Sequence, residues 1–75
     1  MTAEETIALA EARVRAGNGE LAAIRQRMKL SQHAIGSAVG VSRVTVCRWE
    51  SGERSPSGTP AVRLAKLLRD LEAVK

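Results

Sequence analysis

The sequence predicts an all-α fold, a compact bundle of about five short helices. Apolar residues recur at helical spacing between the turns, and no segment alternates with the two-residue period of a strand. Turn-forming residues are sparse and well separated, at 17–19, 40, 52 and 56–60. The 75 residues make one domain, which is marginally stable at this size unless it packs tightly or dimerises.

Most of the predicted helices begin at a residue that favours an N-cap. Thr2 and Glu5 have the spacing of a capping box before the first helix, and Ser31 and Ser42 would cap the third and fourth. Thr59, with a proline directly after it, would open the fifth helix, because proline loses nothing at the first helical position. The predicted helices cover residues 3–16, 19–29, 32–39, 43–51 and 59–73.

The first helix carries a thin, alanine-rich apolar stripe of Ala3, Ile7, Ala10 and Val14. We expect this stripe to pack on the rest of the domain, with packing on a second copy of the chain as the alternative. The end of the fifth helix, at Leu71 and Val74, is another candidate surface for a dimer.

The composition argues against several classes of protein. Cys47 is the only cysteine and His33 the only histidine, so an internal disulfide and a zinc site are both excluded. Catalysis by Cys47 would need a base and an orienting group that the sequence does not offer, although a redox role beside the arginines is a lesser alternative. We therefore expect no enzymatic activity, no metal and no cofactor.

The expected location is the cytoplasm. No apolar run approaches the roughly 18 residues of a membrane span, so no membrane partner is expected. Acidic residues near the N-terminus argue against a signal peptide, and a single thiol fits a reducing compartment.

Charge is distributed unevenly along the chain. The net charges of residues 1–24, 25–54 and 55–75 are −2, +4 and +2, within a total of +4. A basic centre beside an acidic N-terminal segment indicates either a polyanionic partner, such as nucleic acid, or simply a soluble basic surface.

Residues 32–51 read as two short helices joined by a tight turn. Gly36 lies inside the third helix, where glycine costs about 1 kcal/mol relative to alanine, so we expect a neighbouring helix to pass too close for a side chain. Gly40 can adopt the positive φ that ends this helix, and Val41 follows as an apolar plug before the next cap.

The fourth helix has two different faces. Val46, Trp49 and Glu50 point inward, whereas the opposite arc consists of Arg43, Val44, Cys47, Arg48 and Ser51. This arc contains two arginines and no acid, whereas solvated helix faces usually mix both signs of charge. Such a composition suits the major groove of DNA, because arginine can bridge guanine O6 and N7 and small apolar groups can touch a thymine methyl.

The stretch from residue 21 to residue 56 resembles the phage-repressor and Cro-like helix-turn-helix family, often called Xre-like. The resemblance covers about half of the chain, and the matching residues follow the family order without a gap. They are Leu30-Ser31-Gln32, Ile35-Gly36, Val39-Gly40-Val41-Ser42, Val46, Trp49-Glu50, Gly52 and Pro56. The family usually has alanine at the position of Gly36, and both residues are small.

The resemblance implies a role for each matching position. The third helix would lie across the DNA backbone and the fourth would enter the major groove. Base contacts would come from Arg43, Val44, Cys47 and Arg48. Phosphate contacts would come from Gln32, Ser42, Ser51, Arg54 and Arg27. Arg25 and Glu50 would form an ion pair between helices, and the core would contain Leu21, Ile24, Met28, Ile35, Val39, Val41, Val46, Trp49, Leu64 and Leu68.

The resemblance implies a single helix-turn-helix DNA-binding domain over 1–75, with an N-terminal helix (1–17), a core (19–56) and a C-terminal helix (59–73). We expect sequence-specific binding of double-stranded DNA by a small repressor-like or Cro-like transcriptional regulator, of phage type. We also expect a homodimer on a two-fold symmetric operator. The alternative is a protein-binding module on the same fold, an antitoxin or antirepressor, for which DNA binding is secondary.

Overall fold

Five α-helices build residues 1–74, the part of the chain that the computed structural model describes. They are α1 (Ala3–Gly17), α2 (Glu20–Arg27), α3 (Gln32–Val39), α4 (Arg43–Ser51) and α5 (Gly58–Glu72). Residues 1–74 contain no β-strand. The predicted all-α bundle is confirmed.

Side-chain caps fix the starts of three helices. The Thr2 hydroxyl accepts a hydrogen bond from the Glu5 N–H at 3.1 Å, and the Glu5 carboxylate accepts one from the Thr2 N–H at 3.0 Å. Ser31 accepts from the N–H of Ala34 at 2.9 Å, and Ser42 accepts from that of Thr45 at 3.2 Å. These bonds satisfy N–H groups that the first helical turn leaves without partners, so α3 and α4 begin where the sequence predicts.

Five predicted helix boundaries, in three of the helices, shift by one or two residues. Helix α1 includes Gly17, and the glycine with positive φ is Gly19, at +93°. Helix α2 begins one residue and ends two residues inside its predicted bounds, because the chain turns away through Lys29, whose φ is +58°. Thr59 is not the cap of α5, since the Ala61 N–H already bonds to the carbonyl of Ser57 at 3.4 Å.

The core lies between α2, α3, α4 and α5, and α1 covers it from one side. The large buried side chains are Leu21, Ile24, Ile35, Val39, Val46, Trp49, Leu64 and Leu68. Met28 and Val41 are partly buried against them. Helix α1 adds only Ala8, Ala12 and Ala16 to the core and packs mainly on α5, with smaller contacts to α2 and α4.

The expectation that the α1 stripe packs on the domain is wrong. The stripe of Ala3, Ile7, Ala10 and Val14 is exposed, with Ile7 at 61% and Val14 at 62% of full exposure. The alanine face is buried instead, because alanine lets α1 approach α5 closely without a cavity. The same face carries Arg15, which is itself buried and brings α1 into contact with carboxylates elsewhere in the fold.

Arg15 joins three segments of the chain. Its guanidinium lies 2.8 Å from the carboxylate of Glu20 at the start of α2, 2.5 Å from that of Glu72 at the end of α5, and 3.4 Å from that of Glu11. Arg69 of α5 also pairs with Glu11 through two nitrogens. Hydrogen bonds lower the pKa of all three carboxylates. The main donor to Glu11 is Arg69, and the main donor to Glu72 is Arg15. Glu20 accepts from Asn18 and, with a smaller effect, from Arg15.

We expect this network to be lost in acid. The folded-state pKa values of Glu11, Glu20 and Glu72 lie below the ordinary value of 4.5, so the unfolded chain takes up protons first as the pH falls. Their contribution to stability is therefore complete above about pH 5 and declines as the pH falls through the folded values. In thermal unfolding from about pH 6 to pH 3, the difference in midpoint between the natural protein and Arg15→Met should shrink.

Lys66→Met is the matched control. It also removes one positive charge that is paired with a carboxylate, but the pair of Lys66 and Asp70 is exposed. Its unfolding midpoint should follow that of the natural protein at every pH. A difference for Arg15→Met that stays constant across the titration would contradict the role of the three carboxylates.

The turn between α3 and α4 passes directly over Gly36. A Cβ on Gly36 would lie 2.6 Å from the carbonyl oxygen of Val41 and 3.2 Å from the backbone of Ser42. The Gly36 carbonyl accepts the N–H groups of both Gly40 and Val41 at 2.8 Å. The close neighbour is therefore the turn itself and not a passing helix, and it fixes the angle at which α4 leaves α3.

Gly36→Val should lower the free energy of unfolding by about 1–3 kcal/mol, because the added carbons meet backbone that cannot move aside. Gly17→Val is the matched control, since a Cβ there meets nothing within 4 Å. Its effect should stay within about 0.5 kcal/mol. Equal effects of the two substitutions in urea denaturation would show that the turn does not restrict residue 36.

Candidate nucleic-acid interface

Helix α4 is anchored by one face and exposes the other. Val46 and Trp49 are buried, at 0% and 3% exposure, and Thr45 lies at the border. The opposite side exposes the five residues that the sequence placed there, namely Arg43, Val44, Cys47, Arg48 and Ser51. Trp49 is thus part of the core and is not positioned to stack on a base.

An inward-facing acid, Glu50, is neutralised within the fold. Arg25 of α2 donates from Nε to one Glu50 oxygen at 2.8 Å and from a terminal nitrogen to the other at 3.0 Å. Its other terminal nitrogen donates to the carbonyl of Leu30 at 3.1 Å. The side chains are 14% and 9% exposed, and the bond to Glu50 raises the pKa of Arg25. This bidentate pair joins α2 to the inner side of α4.

Gln32 belongs to the same network. Its side-chain amide nitrogen donates to the Glu50 carboxylate at 3.0 Å, from the first residue of α3. The remaining amide oxygen is an acceptor and cannot bind a phosphate. A phosphate contact by Gln32 must therefore use the second amide hydrogen or the backbone N–H at the start of α3.

The two serines expected at phosphates already have partners in the fold. Ser42 caps α4 and shares a hydrogen bond with the Thr45 hydroxyl at 3.1 Å. Ser51 donates to the carbonyl of Arg48 at 3.1 Å and accepts from the Glu53 N–H at 3.4 Å. For Ser51 to donate to a phosphate, its hydroxyl must first leave the Arg48 carbonyl.

The expected cationic contacts do not all lie together. Arg43 and Arg54 are exposed on or just after α4 and make no ion pair within residues 1–74. Arg27 acts on the pKa of Glu72, which lies at the end of α5. Arg27 is exposed in the last turn of α2, on a different helix from Arg43.

Sequence reasoning did not identify Glu53 as part of this surface. Its carboxylate lies 3.7 Å from Nε of Arg48, and both side chains are substantially exposed. At this distance the contact is an ion pair and not a hydrogen bond, so the guanidinium of Arg48 keeps its donors for other partners. The signal was present in the sequence, since Glu53 and Glu50 are the only acids between residues 25 and 54.

Other kinds of site have little support in the part of the chain that the structure describes. No group of three or more His, Cys, Asp or Glu side chains there is placed to hold a metal ion. Cys47 is an exposed free thiol. Among these residues, the helices are all too short or too polar to cross a lipid bilayer.

Two consecutive short helices, a glycine-dependent turn and an outward cationic face define a helix-turn-helix domain. The sequence pattern of the helix-turn-helix family matches residues 21–72, and the chain belongs to this family. The chain is also 40% identical over 45 residues to Repressor protein C2 of Salmonella phage P22, a match that covers 60% of this chain and 21% of that protein. The resemblance to phage repressors is thereby confirmed.

The chain spans about a fifth of the length of this phage repressor. No solved structure gives a significant match. Helix α1 lies outside the segment that the family pattern covers, so its placement is a feature of this chain beyond the shared core.

The pair of Arg25 and Glu50 should be essential for stability. Glu50→Ala leaves the Arg25 guanidinium largely buried without its carboxylate, so the free energy of unfolding should fall by about 3 kcal/mol. Glu53→Ala is the control, because it removes an exposed acid three residues away and should change stability by less than about 0.5 kcal/mol. Urea denaturation followed by the fluorescence of the single tryptophan measures both, and similar losses would contradict the assignment.

Proposed function

We propose that this protein binds double-stranded DNA sequence-specifically and acts as a small transcriptional regulator of the repressor or Cro-like type. The observation that carries the proposal is the outward side of α4, which presents two arginines and no acid while Val46 and Trp49 anchor the opposite side. Membership of the helix-turn-helix family and the similarity to a phage repressor support it. The proposed activity is binding and not catalysis.

Helix α4 reads bases in the major groove. Arg43 and Arg48 bind guanine O6 and N7, and Val44 and Cys47 contact thymine methyl groups or neighbouring base edges. Arg48 turns its terminal nitrogens to the base while its Nε stays beside Glu53.

The DNA backbone is held by groups around α4. Arg54 contributes charge, Gln32 and Ser42 contribute the N-termini of α3 and α4, and Ser51 contributes its hydroxyl. Arg27 is a weaker candidate, because it lies on α2 and not on α4 or directly after it. These contacts set the orientation of α4 in the groove and carry no sequence information themselves.

The functional unit is a homodimer on a two-fold symmetric operator. One domain offers only four base-reading side chains, so two copies reading half-sites about 34 Å apart supply the required specificity. Its place of action is the cytoplasm of a bacterium or a phage-infected host, at the nucleoid.

Selection of bound sequences from a random duplex pool, with the purified chain, tests the proposal. A two-fold symmetric enriched motif is the expected result. A pool that shows no enrichment would reject sequence-specific binding and favour the alternative, a protein-binding antitoxin or antirepressor that uses the same fold.

Arg43→Ala should weaken binding to the selected duplex by about 1–3 kcal/mol and relax the preference at one base pair. Binding to random duplex should change much less, because the lost contact reads a base.

Arg54→Ala should instead weaken binding to every duplex alike and reduce the slope of log affinity against log salt by about one. Fluorescence anisotropy at several salt concentrations separates the two patterns, and equal losses by Arg43→Ala on both duplexes would refute its role as a base reader.

A further inference from the structure

An apolar stripe on α1 has no partner among the described residues. Ile7 and Val14 are 61% and 62% exposed, and Ala3 and Ala10 lie between them on the same side. This side is opposite the buried alanine face, so no adjustment within the domain can cover it. The other exposed large apolar side chains in residues 1–74 are Met1, Val44 and Val74, and none of them lies on α1.

The spacing of the stripe is that of a two-helix seam. Ala3 and Ala10 are seven residues apart, as are Ile7 and Val14, and the two pairs alternate at steps of four and three, which is the heptad spacing of two helices that pack along each other. The two large residues occupy one heptad position and the two alanines the other. If two such helices run antiparallel, each large residue faces an alanine, as Ile7 faces Ala10 and Val14 faces Ala3. A parallel pair would instead place large against large and small against small.

Charge permits the antiparallel arrangement. Glu4 and Glu11 flank the stripe on one side, and in an antiparallel pair this flank faces the same flank of the other copy, so Glu4 lies near Glu11 of the other copy. Glu11 is already held by Arg15 and Arg69, and Arg69 remains 56% exposed beside it. These arginines offset the repulsion between the two acids.

The opposite flank raises no objection to this pairing, since it carries Thr6 and Arg13 and no acid. Thr6 donates its hydroxyl to the carbonyl of Thr2, and Arg13 donates to the carbonyl of Pro56 at 3.0 Å. No like charges are brought together on this side, because Arg13 faces Thr6 of the other copy.

The competing surface at the end of α5 is less suitable. Leu71 is partly buried against the core, so it is not available to a second chain. Val74 is exposed at 56%, but its predicted partner in this surface, Leu71, is not among the exposed large apolar residues.

We propose that the exposed stripe of α1 is a homodimer interface, in which α1 of a second copy packs antiparallel across Ala3, Ile7, Ala10 and Val14. This interface supplies the homodimer that the proposed function requires, so the inference rests on that proposed function. Assembly can be measured without DNA, so a failure of this interface and a failure of DNA binding are separate results.

Sedimentation equilibrium over a concentration series tests the interface. The natural chain should form dimers, and Ile7→Glu with Val14→Glu should weaken the association at least tenfold. Val74→Glu is the control, because it places one such charge on an apolar position of similar exposure outside α1, and it should dimerise like the natural chain. A natural chain that stays monomeric up to millimolar concentration overturns the proposal, as does unchanged dimerisation of the double variant.

Circular dichroism should show that the double variant keeps its helices, since both positions are exposed. A second experiment, by disulfide cross-linking, does not depend on that variant. Ala3→Cys and Val14→Cys are prepared separately in a Cys47→Ser background and then mixed under mild oxidation.

In the antiparallel pair, residue 3 faces residue 14 of the other copy, so the mixture should form a mixed disulfide. Each variant alone should not cross-link, because equal positions are about 16 Å apart along the helices, whereas a disulfide needs Cα atoms within about 7 Å. Cross-linking of each variant by itself indicates a parallel pair and overturns the proposed geometry. Absence of any cross-link overturns the interface.

Discussion

The orientation of α4 depends on the charge pair between Arg25 and Glu50. An acid within a helix that presents cations to a polyanion would normally weaken binding, because its charge opposes that of the arginines. Here both carboxylate oxygens are occupied by Arg25, and Gln32 adds a third donor from α3. The pair therefore links three helices and removes the one acid of α4 from the electrostatics of its outward side.

The tight turn over Gly36 is a second constraint on the same helix. The Val41 carbonyl oxygen lies only 2.6 Å from the position of a Cβ on residue 36, so α3 and α4 can approach as they do only because that side chain is absent. Polar pairing thus fixes the rotation of α4 about its axis, while the turn fixes its angle to α3. Together they determine which residues of α4 face outward, and any DNA contact follows from that choice.

Local signals predicted the central helices well, and long-range pairings limited the prediction elsewhere. Ser31 and Ser42 cap their helices through residues only three positions away, so their sequence neighbours contain the information. The Ser51 hydroxyl and the contact between Arg48 and Glu53 are also local, but they depend on how the chain turns after α4, which helical spacing alone does not give. The engagement of Gln32 by Glu50, 18 residues away, is a long-range pairing and was not anticipated.

The incorrect prediction of which face of α1 is buried has a related physical cause. A periodicity argument gives more weight to Ile7 and Val14 than to alanine, and so predicts that the larger side chains are buried. Turning them toward α5 would hold the helices apart and carry Arg15 away from Glu20 and Glu72, which lie at the start of α2 and at the end of α5. Close alanine packing and these ion pairs act on the same face, so the domain gains both by leaving the apolar stripe outside. A second chain can then cover the stripe without disturbing either, which separates the proposed surface for assembly from the helix proposed to read DNA.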